Sequence, residues 1–233
     1  MMLRRWEELP DAMRIPEVRP YYDALKKKEA SLFFKRLFDI FASFAMLLIL
    51  SPVFLFLAVA IKLDSRGPVF YRQTRVTQYG KRFRIFKLRT MVQNADSLGT
   101  HVTVENDARI TRVGRLIRSC RIDEIGQLIN VLCGTMTLVG TRPEVEKYVE
   151  GYSPEMLATL LLPAGVTSLA SIFYKDEDKL LSGTENVDDV YVNEVLPKKM
   201  HYNLKAIKDF GFWSDIKILF MTVFAMLGKK YDK

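Results

Sequence analysis

With 233 residues, 49% hydrophobic and 27% charged, the chain can hold one compact domain and is too polar for a polytopic membrane protein. Its net charge of +8 is uneven: residues 1–122 carry 23 Lys+Arg against 11 Asp+Glu, a balance of +12, and the remainder carries 12 against 16, a balance of −4. Two cysteines without metal-ligand spacing and two isolated histidines leave a His-based zinc site or a Ser-His-Asp triad unsupported, and the thiols read as reduced in a cytosol-facing domain.

Residues 1–30 mix charge with Pro10, Pro16 and Pro20, then Lys26-Lys27-Lys28. They lack the order of a signal peptide and read as an irregular N-terminal arm leading into a helix. From Leu32 the pattern is helical, and from Ile40 to Ile61 it is uniformly apolar. As a straight helix that run would be about 33 Å long, just enough to span a bilayer. Pro52 falls inside it, where it removes a backbone hydrogen bond and crowds the preceding turn. Both flanks are basic, Lys35 and Arg36 before the run and Lys62, Arg66, Arg72 and Arg75 after it, as for two cytoplasmic ends. The expectation is therefore a re-entrant hairpin over residues 31–63, broken at Ser51 and Pro52, with the Ser51 hydroxyl helping to satisfy the freed carbonyl. A Pro-kinked spanning helix is the alternative.

After Gly67-Pro68, the residues Val69 to Val76 and Phe83 to Leu88 around Tyr79-Gly80 predict a β-hairpin. Between Ser65 and Ala95 there are eight basic residues and no acid, so this stretch asks for an anionic neighbour, either lipid headgroups or a nucleoside diphosphate. Charge alone also admits nucleic acid, which is not the expected partner. Arginines follow at every third position from Arg109 to Arg121; on a helix this row drifts, and Gly114 argues against one unbroken helix.

Asp123 and Glu124 precede an apolar stripe, Ile125, Leu128, Ile129 and Leu132, closed by Gly134. That pattern places both acids in the first turn of a helix, where the dipole alone can account for them. Arg118 and Arg121 beside them weaken that account and leave a phosphate-handling site open. Thr137 to Pro143 reads as a strand or extended segment, Leu162 to Ser168 as a small-residue loop, residues 172–190 as an acidic loop, and 187–209 as a helix interrupted or restarted at Pro197. Phe212 to Leu227 predicts a terminal helix with an aromatic face, placed in the interfacial region of a membrane.

Together these motifs resemble the bacterial sugar transferase family, the monotopic polyprenyl-phosphate phosphoglycosyl transferases. The resemblance runs from Phe34 to Val223 and rests on Lys35-Arg36-Leu37-Phe38-Asp39, Ser51-Pro52, Gly67 to Gln73, Lys87 to Met91, Asp107 to Arg115, Asp123-Glu124 and Leu138 to Pro143. It implies a mainly α fold with a small β-hairpin, a re-entrant membrane helix and interfacial helices. The chain would divide into an arm (1–30), a membrane hairpin (31–63) and a cytosolic catalytic domain (64–233). The implied reaction moves a sugar-1-phosphate from a UDP-sugar to undecaprenyl phosphate, with Asp123 as nucleophile, Glu124 as ligand to Mg²⁺, and Arg118, Arg142, Pro143 and Lys87 near phosphate or nucleotide. The implied location is the cytosolic face of the bacterial inner membrane, among anionic lipids, with a homodimer left open. This chain departs from the family pattern at Ile125-Gly126, Thr141 and Ala164. A membrane-anchored scaffold binding anionic lipid is the non-enzymatic alternative.

Overall fold

In the computed structural model, residues 3–93, 95, 107–120, 122–174, 187–229 and 231 are described. Arg121, His101 and the centre of the acidic loop lie outside them. The chain opens with two short 3₁₀ turns and helix α1 (Arg19–Lys26), then enters α2 (Glu29–Asp64), a 36-residue helix that is long and apolar enough to cross a membrane. Strands β1 (Phe70–Val76) and β2 (Arg82–Leu88) form an antiparallel hairpin pairing Phe70 with Leu88 and Val76 with Arg82. Helices α3 (Arg112–Ser119) and α4 (Gln127–Leu132) follow, then β3 (Met136–Val139), α5 (Glu146–Val149) and a 3₁₀ segment (Glu155–Leu161). Strand β4 (Ala164–Thr167) pairs with β3 in parallel, so the segment expected to be a loop is a short buried strand. The last helices are α6 (Leu169–Phe173), α7 (Val187–Val190), α8 (Leu196–Lys208) and α9 (Phe212–Met226). A π turn at Tyr191–Val195 joins α7 to α8, and Pro197 sits in the first turn of α8, where a missing N–H costs nothing.

The helical run of α2 continues through Ser51 and Pro52, where the sequence predicts a break. Proline leaves the Leu48 carbonyl without its N–H partner; the Ser51 hydroxyl donates to that oxygen at 2.8 Å, which removes much of the reason to break. One face of α2 lies along the rest of the protein for most of its length. Phe38, Ala42, Met46, Leu47 and Leu50 pack on Phe83, Ile85, Leu128 and Val131, and further along Phe54, Leu57 and Ile61 pack on Leu88 and Ile117. The opposite face is bare, with Phe41, Phe44, Leu48, Ile49, Leu55, Phe56 and Leu63 exposed. Helix α9 leans on α2 through the Phe38–Phe212 ring contact and exposes Trp213, Phe220, Val223 and Phe224.

Polar bonds tie both ends of α2 to the same body. Near its start the Lys35 ammonium, 2% exposed, donates to Val139 O (2.8 Å) and Asp215 Oδ2 (2.5 Å), while Asp39 accepts from the Thr137 hydroxyl (2.5 Å) and the Leu138 N–H (3.2 Å). At its end Asp64 accepts from the Val113 N–H (3.0 Å). The N-terminal residues are no loose extension in this structure. Leu9, Met13, Val18, Tyr21 and Leu25 are buried against Leu160, Leu161, Ile207 and Phe210, and Tyr22 donates to Arg4 O at 2.9 Å.

Candidate active site

The outer edge of β2 carries backbone groups that a third strand would normally meet. Here the segment before α4 and α4 itself meet them instead. The Leu88 N–H donates to Asp123 O (2.9 Å), the Phe86 N–H to Asn130 Oδ1 (2.8 Å), and Asn130 Nδ2 to Arg84 O (3.1 Å). Asp123 and Glu124 therefore sit in a turn that precedes α4, rather than in its first helical turn as the sequence predicts. The Gln127 N–H bonds to Glu124 O (2.9 Å) and the Leu128 N–H to Ile125 O (3.2 Å), both three-residue spacings that tighten the chain ahead of the helix. The acids are positioned by the hairpin, and the helix dipole is not what accounts for them.

The two carboxylates live in different surroundings. Glu124 is clamped: Arg142 Nη1 donates to Oε2 at 2.9 Å, Arg142 Nη2 donates to Oε1, and Lys87 Nζ donates to Oε1 at 3.1 Å. Burial by itself would raise the Glu124 carboxyl; the charges and hydrogen bonds of Arg142 and Lys87 outweigh it and hold the group well below the usual carboxylate range. Burial lowers the Lys87 ammonium, with the Glu124 charge opposing. Asp123 receives no hydrogen bond from any described side chain. Burial, and secondarily the Glu124 charge, pushes its carboxyl above the usual range, with Lys87 and Arg118 opposing.

Asp123 lines a cavity of about 530 Å³. Arg72, Arg75, Arg84, Lys87, Arg109 and Arg118 line it too, and with Arg89 the wall has seven cationic side chains to one carboxylate among the described residues. Arg72 stacks 3.5 Å over the Phe86 ring, and Arg118 Nε donates to Thr90 Oγ1 at 2.9 Å. Helix α3 brings Arg118 there. Thr111 caps the helix by accepting from the Gly114 N–H (3.0 Å), and position 114 needs glycine because its backbone passes Thr90 O so closely that a Cβ would lie 2.0 Å from it.

Of the residues singled out from sequence, Asp123, Lys87 and Arg118 line the cavity, and Glu124 and Arg142 form an ion-paired wall against Lys87. Pro143 does not reach it. Its carbonyl accepts from Arg75 Nη1 (3.2 Å), and its ring lines a separate crevice with Thr77 and Glu144. Ser51 and Pro52 lie far along α2. Arg121 lies outside the described residues. Sequence reasoning missed a buried relay behind the site: Glu144 accepts from the Tyr191 hydroxyl (2.6 Å), Lys199 Nζ donates to that hydroxyl (3.1 Å), and Arg75 lies 4.0 Å from Glu144. The acid-free basic stretch marks Arg75 in the sequence. Nothing there marks Tyr191 or Lys199, which reach the site only through the π turn and α8.

No group of three or more metal-ligating side chains occurs among the described residues. The donors still suit a hard cation that takes one or two carboxylates and completes its shell from phosphate and water. Glu124 Oε1 accepts two hydrogen bonds and Oε2 only one, which leaves a lone pair on the residue next to Asp123, whose carboxylate takes no bond from a described side chain.

A cation-walled cavity with one open carboxylate has the charge to suit a polyanion, and the apolar helix running along the protein adds a candidate membrane segment. The chain belongs to the bacterial sugar transferase family, whose model matches residues 30–229. It is 39% identical over 198 residues to the UDP-glucose:undecaprenyl-phosphate glucose-1-phosphate transferase of Escherichia coli K12, covering 82% of this chain and 39% of that protein. It is 37% identical over 196 residues to the protein of the same name from Caulobacter vibrioides, with coverages of 83% and 69%. It is 34% identical over 217 residues to the undecaprenyl-phosphate galactose phosphotransferase of Salmonella typhimurium, with coverages of 87% and 42%. The chain thus spans about two fifths of the length of several curated relatives.

Proposed function

We propose that this protein moves a sugar-1-phosphate from a UDP-sugar to undecaprenyl phosphate in two displacements. The observation that carries this reading is the contrast at the acidic pair: Glu124 is clamped by Arg142 and Lys87, while the adjacent Asp123 carboxylate takes no hydrogen bond from any described side chain and lines the cationic cavity. The names of the relatives supply the substrate classes.

In the first displacement an Asp123 oxygen attacks the sugar-linked phosphorus. The bond from that phosphorus to the bridging oxygen breaks, and UMP leaves with the electron pair, so that the sugar phosphate is held on Asp123 as an acyl phosphate. Arg118 and the β1–β2 arginines balance the diphosphate charge, and arginine forks suit phosphate oxygens. In the second displacement a phosphate oxygen of the lipid attacks the same phosphorus, the aspartyl oxygen leaves, and the carboxylate is regenerated. Lys87 and Arg142 keep Glu124 ionised and fixed beside the reacting acid. Mg²⁺, held by Glu124 with Asp123 nearby, supplies further neutralisation of phosphate charge when bound.

The lipid acceptor requires the site to work at a membrane surface. We place α2 as a helix that enters and leaves on the cytosolic face of the cytoplasmic membrane. Support comes from its bare apolar face and from polar bonds that tie both its ends to one charged body. A test of the reaction is UMP release from a panel of UDP-sugars by the full chain in detergent, with undecaprenyl phosphate and Mg²⁺. UMP from at least one sugar, abolished by EDTA, is expected; none under any condition sinks the reading. For the topology, single cysteines at Ala30 and Arg66, in a background lacking the exposed Cys120 and Cys133, are expected to label from the same side. Labelling from opposite sides refutes it.

A further inference from the structure

Arg89 is 5% exposed, and its hydrogen bonding is incomplete. Its Nη2 donates to Ile61 O (3.3 Å), Ser65 O (2.7 Å) and Ser65 Oγ (2.9 Å) at the C-terminal end of α2, but Nε and Nη1 are buried and donate to nothing. No described carboxylate pairs with it. Asp64 opposes the effect of burial on Arg89 only at longer range, since its Oδ2 takes the Val113 N–H at 3.0 Å. A buried cation with unmet donors is costly, and capping the carbonyls of α2 accounts for only one of its three nitrogens. Gly67, with φ +126°, packs its backbone directly against that guanidinium, and a Cβ there would stand 2.2 Å from Arg89 Nη1.

Two further facts say what fills this place. Arg89 lines the same cavity as Asp123, so an anion there faces the reacting carboxylate. Its bonds to Ile61 O and Ser65 O also fix it at the C-terminal end of α2, the apolar helix that exposes Leu55, Phe56, Val59 and Leu63 on the face turned away from the protein body. A phosphate monoester carrying a long hydrocarbon chain fits both surfaces at once: head on the guanidinium, chain along α2. A nucleoside diphosphate has no use for the second surface. We infer that Arg89 binds the phosphate of the lipid acceptor, at a subsite distinct from the contacts that hold the nucleotide sugar. This assignment rests on the two-displacement reading above.

The experiment separates the half-reactions in Arg89→Gln and Arg89→Lys, using the full chain in detergent. Exchange of labelled UMP into UDP-sugar without acceptor reports the first displacement; acceptor-dependent product formation reports the second. Arg89→Gln is expected to raise the KM for undecaprenyl phosphate at least tenfold while UMP exchange falls less than threefold, and Arg89→Lys to recover part of the loss. Equal losses in both half-reactions, or an unchanged KM, overturn the assignment. Binding is read independently by thermal shift. Farnesyl phosphate is expected to stabilise the wild type and not Arg89→Gln, whereas equal stabilisation by inorganic phosphate at the same concentration would make this a free-phosphate site and overturn the lipid assignment. Absence of UMP exchange in the wild type would instead defeat the covalent reading, and the thermal shift then decides the lipid site separately.

Discussion

Two clusters of buried charge lie against α2, and they are built to opposite rules. Under its first turns, Lys35 faces Asp215 and Val139 O, and Asp39 faces the Thr137 hydroxyl and the Leu138 N–H, so every charge there has its partners inside the protein. At the far end the cavity leaves charge unmet. Among the described residues Asp123 has no side-chain donor, Arg72 Nε and two nitrogens of Arg89 are buried without acceptors, while three of the seven cations in the wall, Arg75, Lys87 and Arg109, face a carboxylate partner within 4.0 Å. A closed cluster fixes one element on another, whereas an open one costs stability and is explained by a ligand that completes it. The ion-paired Glu124 stands between these cases, closed itself and holding the edge of the open site.

The sharpest break in this contrast is Asp123→Asn. The open cluster should lose turnover by at least about 10³-fold, because an amide cannot form the acyl phosphate, with little change in thermal unfolding. Full turnover in this variant would remove the nucleophile assignment. Lys35→Met should do the reverse, costing about 3 to 5 kcal/mol of stability by leaving Asp215 buried and unpaired. Adding Asp215→Leu should return most of that loss in a denaturation curve if the cluster is structural. Arg142→Lys removes one arm of the Glu124 clamp. The loss of about 1.5–3 kcal/mol from a charge-assisted bond predicts a fall in kcat of roughly 10- to 150-fold with the fold intact.

The smallest effect is in pH dependence, and it separates the two acids by sign. Asp123 is raised above the ordinary aspartate value of about 3.9, so activity that needs its ionised form should fall, as pH decreases, at a higher pH than an ordinary aspartate would give. Glu124 is depressed, so the stability its pairing contributes is present above the normal glutamate range and is lost only as pH falls through its lowered value. Profiles of kcat and of thermal unfolding against pH should show activity failing first. Coincident limbs would mean the two carboxylates are not distinguished as described.

Much of this arrangement was legible residue by residue. The acid-free run from Arg66 to Arg89 supplies most of the cations in the cavity wall, the apolar run announced α2, and Pro197 and Gly134 marked helix ends that the structure keeps near those positions. The short strand β4 was hidden because Ala164-Gly165-Val166-Thr167 has no alternation to read, and because its ladder with β3 is a contact between distant segments. The turn at Asp123 was misread as helix for the same kind of reason. Periodicity continues through Ile125, but Leu88 and Asn130 pull the chain against the hairpin.

Residue type and order by themselves determined which chemistry was available: a paired carboxylate, an excess of guanidinium groups, and one long apolar helix with basic flanks. Only the tertiary structure decided how that chemistry is divided. Whether a carboxylate is clamped or open, and whether an arginine's donors are met or left unpartnered, depends on burial and on hydrogen-bond partners that arrive from far along the chain. Arg142 reaches Glu124 across 18 residues, and Arg89 reaches Ser65 across 24. These separations are set by packing, which a local pattern cannot encode.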